Sequence, residues 1–426
     1  MRNRFIVLFF FLSVSFIASA QKQVNSPYSR FNIGTMEPVG SFRSLGMGGI
    51  SVGMTDNTSI LFANPASYSS IDTLSFVFDF GFDYSKSSIK YGSQRSKSDD
   101  MNFDHLMIGF PVAKGFGIAA GVIPVSNGYY RITDEVESSD PAYNPIVGEY
   151  TANHTGNGSI TDFFIGTGLR LHKYVSAGVN MNILFGQIKR ENNFVFNDPD
   201  NSYYNDNSTE KLRLSGINFD YGLQFRVPVK EKYFVNAGVS ATMAKKFDTD
   251  YSDFSFRYTT NGLIDTISYA SGEERLKMPG VLRTGISFGR TNKLTAGFDF
   301  IKTRWSDANI PGSLGYYADT KTYMFGIEYT PERFSNFSFL KRIDYRIGSH
   351  FGDNYLVLNG EQLKEFGVTG GLGIFLKRGD LSKASFFIDY TRRYGSESNG
   401  LHTEHYITTG VSLNFYDVWF LKPKYY

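Results

Sequence analysis

Cysteine is absent from all 426 residues, so no disulfide staples the fold and no zinc–thiolate centre can form. Long apolar runs are missing too once the first 20 residues are passed, and no transmembrane helix is expected in the remainder. An excess of either charge is also lacking. The 43 Lys and Arg against 41 Asp and Glu leave a net charge of +2 and a pI near 8.3, which gives no reason to invoke nucleic acid. Hydrophobic residues reach only 41% and mean hydropathy is −0.24. What the chain has in quantity is aromatic side chains: 40 Phe and 28 Tyr, with an aromatic fraction of 16%. A water-soluble domain would need a very large core to hide so many rings. A membrane β-barrel needs only every second strand residue to be apolar, with aromatic girdles at both interfaces, so its mean hydropathy stays low.

The first residues carry an export signal. "MRNR" is a positive n-region, "FIVLFFFLSVSFI" an apolar core and "ASA" a small-residue cleavage site before Gln21. The apolar run is shorter than the roughly 20 residues a spanning helix needs. Residues 1–20 are therefore read as a cleaved signal peptide. Gln21 rather than cysteine follows the site, so no lipoprotein is expected.

From about Leu74 onward the polarity alternates. In "HYITTGVSLNF", Ile407, Thr409, Val411, Leu413 and Phe415 share one side, while Tyr406, Thr408, Gly410, Ser412 and Asn414 share the other. "YMFGIEYT" sets Tyr323, Phe325, Ile327 and Tyr329 against Met324, Gly326 and Glu328. "ASFFIDYTRRY" sets Phe386, Ile388 and Tyr390 against Phe387, Asp389 and Thr391. A lipid face backed by a polar lumen explains both sets. Residues 74–426 thus read as an all-β, transmembrane antiparallel β-barrel of about fourteen strands, at 74–91, 101–113, 116–133, 157–172, 174–196, 210–230, 233–248, 275–290, 293–307, 320–333, 341–356, 364–378, 383–395 and 403–416. Short links such as Ala113–Gly115 and Lys230–Lys232 read as periplasmic turns. Long polar stretches such as "NDPDNSYYNDNSTE" and "YSDFSFRYTTNGLIDTISYASGEE" read as extracellular loops, which puts both termini in the periplasm.

Residues 21–73 lack alternation and are rich in Gly, Ser and Asn. A bore of about fourteen strands is an open pore unless something fills it, so this piece is expected to be a plug inside the lumen. Its small residues Gly46, Gly48, Gly49 and Ala63 would let backbone approach the wall, and Pro65 fixes a sharp turn after Asn64. Farther on, Pro124 removes a ladder donor from the third strand and Asn127–Gly128 favours a bulge.

"GMGGISVGMTDNTSILFANPAS" resembles the hatch segment of the long-chain fatty acid outer-membrane transporter (FadL-type) family, which includes toluene channels. "GIAAGVIPVSNGYY" is similar to that family's third strand, and "LTAGFDFIKTRWSD" to a later strand with a Trp-Ser ending. The resemblance covers most of the chain after residue 20, on a divergent branch, since Val125-Ser126-Asn127 stands where the family usually has Phe-Gly. It implies a hatch at Gly46, Met47, Gly48, Gly49, Asp56, Asn64, Pro65 and Ala66, and a lateral exit at Gly121, Pro124, Asn127 and Gly128. It further implies passive uptake of hydrophobic, fatty-acid-like molecules across a Gram-negative outer membrane. A scaffold or binding barrel that partners an exported protein or secretion machinery remains open. A monomer in contact with outer-membrane lipid is expected, with no cofactor.

Other chemistry has little support. "GISFG" matches the bare nucleophile-elbow pattern, but Ser287 lies mid-strand with no following helix. His402, Glu404 and His405 cluster in sequence without a metal-ligand spacing, and no metal site is expected. "GMGGISVG" lacks the Lys-Ser/Thr of a phosphate loop. By parity Arg283, Asp299, Glu328, Asp344, Arg346 and Asp389 face the lumen. Most are expected to pair there, while Arg283 and Arg346 are candidates to receive the carboxylate of an amphipathic ligand.

Overall fold

In the computed structural model, residues 26–92, 94–141, 143–197, 203–259, 262, 264–312, 316–377 and 381–418 are described. The signal-peptide reading lies outside them. Fourteen antiparallel strands close one sheet on itself. They are β1 (Ser75–Tyr91), β2 (Gln94–Ala113), β3 (Phe116–Asn127, resuming as Tyr130–Val136), β4 (Tyr150–His172), β5 (Val175–Phe196), β6 (Asn205–Val229) and β7 (Tyr233–Thr242, resuming as Lys245–Tyr258). There follow β8 (Ile264–Met278, resuming as Val281–Arg290), β9 (Leu294–Thr303), β10 (Thr320–Tyr329), β11 (Asp344–Leu358), β12 (Glu361–Phe375), β13 (Lys383–Tyr394) and β14 (Thr403–Val418). β14 pairs with β1 from Thr403–Lys90 to Val418–Ser75, and that ladder shuts the ring.

The expected alternation sets the wall. Ile407, Val411 and Phe415 point outward while Ser412 and Asn414 are buried, and Phe325, Ile327 and Tyr329 point outward while Glu328 is buried. On β6 the outward row Ile217, Phe219, Tyr221, Leu223 and Phe225 backs onto buried Asn218 and Gln224. This apolar outer row is the lipid-facing belt of a membrane barrel. All six charges assigned inward by parity do face in, from Asp299 and Arg346, which are buried, to Asp389, which is partly so.

Two departures concern the outer end. The stretch 251–274, read as a loop, is largely β-ribbon: Lys245–Tyr258 pairs with Ile264–Met278 and, on its other side, with Asn205–Leu214. The ribbon stands beyond the lipid belt, and its exposed apolar residues Ile264, Ile267 and Tyr269 do not keep to one alternating row, so it lacks the lipid-side signature that marks the lower strands. The second departure is in the third strand, which is interrupted at Gly128–Tyr129, and the β3–β4 ladder shifts register between Pro124 and Ser126.

Residues 26–74 pack against inward-facing side chains of the wall, as where the Gly48 N–H meets Thr369 and the Ser51 N–H meets Asp299. A 3-10 turn, Pro27–Arg30, sits near the outer end, where Ser26 Oγ donates to Glu404 Oε1 at 2.7 Å. The chain then descends through the short strand Thr35–Met36, the single-turn helix Phe42–Leu45 and the 3-10 helix Pro65–Ser70 to the periplasmic start of β1. The described chain therefore starts at the extracellular end of the bore and not, as loop lengths alone suggested for the N-terminal side, in the periplasm. Close approach needs missing side chains: Gly48 has φ +71°, and a Cβ on Gly348 would lie 2.2 Å from the Gly48 nitrogen. Upper contacts form one apolar cluster, in which Tyr28 and Ile33 meet Ile188, Leu214, Trp305 and Tyr355.

Candidate functional site: the plugged lumen and its lateral seam

The eight residues singled out in the plug are each held by the wall or by one another. Gly46 caps the short helix by donating its N–H to the Phe42 carbonyl at 3.0 Å. Met47 is fully buried with Ile50, Met54 and Leu61, and Gly49 abuts Met324. The Gly48 N–H donates to Thr369 Oγ1 at 2.8 Å. Asn64 caps its 3-10 helix, accepting from the Ala66 N–H at 3.2 Å, and its amide donates to the Val52 and Leu223 carbonyls, both at 3.1 Å. Pro65 opens that helix and Ala66 is fully buried within it. Asp56 pairs with Arg43 and accepts from the Thr58 N–H at 2.7 Å.

Arg43 belongs to a buried charge network under the plug. Its guanidinium donates to both Glu328 oxygens, at 2.7 and 3.0 Å, and Arg346 Nε donates to the same carboxylate at 2.8 Å. Arg346 also stands 3.5 Å from Asp344, which takes Lys383 Nζ at 2.7 Å. Arg346 is thus committed to protein carboxylates and lines neither cavity described below. Parity placed it inward but could not show which anion it meets. Arg283 is different. It donates to Thr242 Oγ1 at 3.0 Å, lies 3.9 Å from Asp220 and borders open space.

That space lies on the two sides of the strap Met36–Val39. One cavity of roughly 350 Å³ is lined by Phe62, Ile123, Pro124, Phe164, Trp305 and Arg283, among others. A smaller one, roughly 170 Å³, has Asp83, Asp104, Asp389, Glu365 and Arg393 in its wall, while Asp162, Asp220 and Asp353 border the larger. Both reach the same flaw in the barrel. The β2–β3 ladder ends at Leu106–Val122. Above it, among the described residues, β2 pairs with β1 alone, and β3 pairs with β4 and, at Ser126 and Asn127, with Thr35–Met36, which leaves a seam between β2 and β3. Pro124 and Gly121 lie at its foot, where a Cβ on Gly121 would come 2.6 Å from the Leu106 carbonyl oxygen. Asn127 Oδ1 accepts from the Tyr129 N–H at 2.9 Å, and the Gly128 N–H donates to the Gly158 carbonyl at 2.9 Å, which turns the strand away. The strap covers the exposed edge of β3: Thr35 pairs with Asn127, Met36 with Ser126, and the Glu37 N–H donates to the Val125 carbonyl at 2.9 Å. No local sequence signal marked this strap, since its partners lie about ninety residues away.

Sequence comparison over residues 1–426 matches one family throughout. The chain belongs to the BamG family. No protein of curated function matches it. Solved structures share the fold of this BamG-family chain at low identity. A Pseudomonas aeruginosa FadL homologue aligns with a TM-score of 0.62 at 13% identity, covering 90% of this chain and 99% of that one. The CymD monoaromatic hydrocarbon channel aligns at 0.57 with 15% identity, covering 90% and 98%. The Ralstonia pickettii toluene transporter TbuX aligns at 0.57 with 13% identity, covering 90% and 99%.

The remaining sequence candidates are spoken for. Ser287 donates to the Gly53 carbonyl at 2.8 Å and accepts from Asn236, so it fastens the plug. His402 stacks on Tyr28, Glu404 turns inward to Arg393 at 3.1 Å, and His405 stacks on Tyr390. The three side chains of the His402–His405 stretch do not converge.

Proposed function

We propose that the chain is a monomeric outer-membrane barrel that takes hydrophobic or amphipathic small molecules into its lumen and releases them sideways through the β2–β3 seam, without energy input. The observation that carries this reading is the ladder that stops at Leu106–Val122 with a cavity behind it at Ile123 and Pro124. In a continuous wall every backbone group inside lipid must be paired. A seam that opens above Leu106–Val122, level with the outward-facing Phe163, gives an apolar solute a route to the lipid that avoids the charged lumen. Entry is driven by removal of apolar surface from water. Arg283, at the cavity wall, supplies the cation for a carboxylate head. A cavity of roughly 350 Å³ suits a small aromatic or one segment of an acyl chain, so a longer ligand requires the strap to move. The named functions of the hydrocarbon channel and the toluene transporter support the same reading at the level of fold.

The test exploits the cysteine-free chain. Met36→Cys with Ser126→Cys creates a single disulfide between paired positions and ties the strap across the seam. Uptake of labelled oleate and of toluene should fall on oxidation and recover on reduction. Equal uptake in both states overturns the proposal.

A second reading, a scaffold that holds an exported protein or secretion partner, is favoured by the projecting ribbon of β7 and β8. Among the described residues its outer strand pairs on one side from Ile264 to Leu276 and exposes Ile264, Ile267 and Tyr269. Removing residues 251–272 while leaving the seam intact separates the two. Retained uptake with lost cellular function would favour the scaffold.

A further inference from the structure

The loop at 330–343, between β10 and β11, lies at the periplasmic rim. Phe334 is 68%, Phe337 101% and Leu340 64% exposed, and Phe339 is also exposed. So many apolar side chains side by side in water mark an interaction surface. The loop is fastened to the lipid side of the wall. Tyr345, the first outward-facing residue of β11, donates its hydroxyl to the Leu340 carbonyl at 3.0 Å. Tyr345 stands opposite Tyr329 on one neighbour and Leu372 on the other, both outward-facing. That level of the wall is its lower aromatic girdle.

Between this loop and the residues that end β12 is a cleft of roughly 220 Å³, lined by Phe339, Arg342, Ile343, Phe375, Leu376 and Lys377. Its two kinds of side chain are separated. Phe339 and Leu376 continue the lipid belt downward, over a buried Ile343. Arg342 and Lys377 form its cationic side, and among the described residues neither is in a salt bridge. Arg342 instead lies 5.8 Å from the centre of the Phe339 ring. The neighbouring cation Lys383 is spent on Asp344 at 2.7 Å, and Arg333 donates to Asn292 at 2.6 Å.

We propose that this cleft binds an anionic phospholipid of the periplasmic leaflet. The phosphate sits between Arg342 and Lys377, the acyl chains run up along Leu376, Leu372 and Tyr345, and Phe334 and Phe337 enter the interface beside it. A guanidinium fork suits phosphate oxygens, and basic residues at a membrane surface draw anionic lipid. The apolar wall is what selects a lipid over a free anion. The inference is independent of the transport reading and rests only on which end of the barrel faces the periplasm.

The test is native mass spectrometry of the full-length protein in detergent with phosphatidylglycerol, phosphatidylethanolamine or glycerol 3-phosphate. Phosphatidylglycerol should be retained about thirtyfold more than phosphatidylethanolamine, as two basic residues at a surface imply. Arg342→Gln with Lys377→Gln should bring it down to the phosphatidylethanolamine level, and Phe337→Ser with Phe339→Ser should lower retention of both lipids. Glycerol 3-phosphate should neither bind nor compete. Heat-modifiable migration on a gel checks folding. If the double charge variant fails that check, the lipid comparison and the competition on the native protein decide. Equal retention of the two lipids, no effect of the charge variant in a folded barrel, or competition by glycerol 3-phosphate overturns the proposal.

Discussion

The charge network beneath the plug gives a sharp energetic test. Three cations, Arg43, Arg346 and Lys383, meet three anions, Asp56, Glu328 and Asp344, all largely buried. Glu328 is the shared member, because it accepts from Arg43 of the plug and from Arg346 of the wall. Glu328→Gln keeps the shape and removes the charge, leaving two guanidinium groups facing each other over a neutral amide. Breaking a buried pair in this way costs about 3–5 kcal/mol. Arg43→Gln alone also unbalances the cluster, though Glu328 keeps Arg346. In the double variant Arg346, Lys383, Asp344 and Asp56 remain, two charges of each sign. Its cost should therefore fall short of the sum of the single variants by about 1–3 kcal/mol. Thermal unfolding in detergent, followed by heat-modifiable migration, measures all four proteins. Conductance in a planar bilayer should rise in Glu328→Gln, because the plug loses its anchor. Strict additivity, or a Glu328→Gln protein as stable and as tightly closed as the parent, would refute the reasoning.

Gly348→Leu should displace Gly48 and raise bilayer conductance, since its Cβ alone would come 2.2 Å from the Gly48 nitrogen; unchanged conductance would count against a seated plug. Ser287→Ala should leave any esterase reading at background and cost roughly 1 kcal/mol in thermal stability, the worth of one hydrogen bond to the Gly53 carbonyl. Burial beside Tyr28 holds the His402 imidazole below its usual pKa, so the fold prefers it neutral. The stability it contributes is present above the unfolded pKa and is lost as pH falls through that value toward the folded one. Protease clipping near residues 26–36 should therefore increase at mildly acid pH, and His402→Phe should remove that dependence.

The lower wall was legible because lipid imposes a two-residue period: Phe325, Ile327 and Tyr329 can face only one way. The upper strands were not, because water on both sides of the ribbon at 251–274 removes the constraint that writes the period. Pro124 and Asn127–Gly128 marked where β3 bends, since proline lacks a donor and glycine allows the turn. The strap could not be read, because Thr35 and Met36 owe their conformation to Asn127 and Ser126 rather than to their neighbours. Arg346 shows the same limit from another side. Its direction followed from parity, but its commitment to Glu328 is a tertiary fact.

The described chain begins at Ser26, which leans on Glu404 of the final strand, and it traverses the whole bore before the first strand starts at Ser75. The stave that completes the cylinder also carries the carboxylate that holds the far end of this segment. Sealing the hoop and seating the stopper therefore share one strand, and damage at Ser26 should be felt at Glu404.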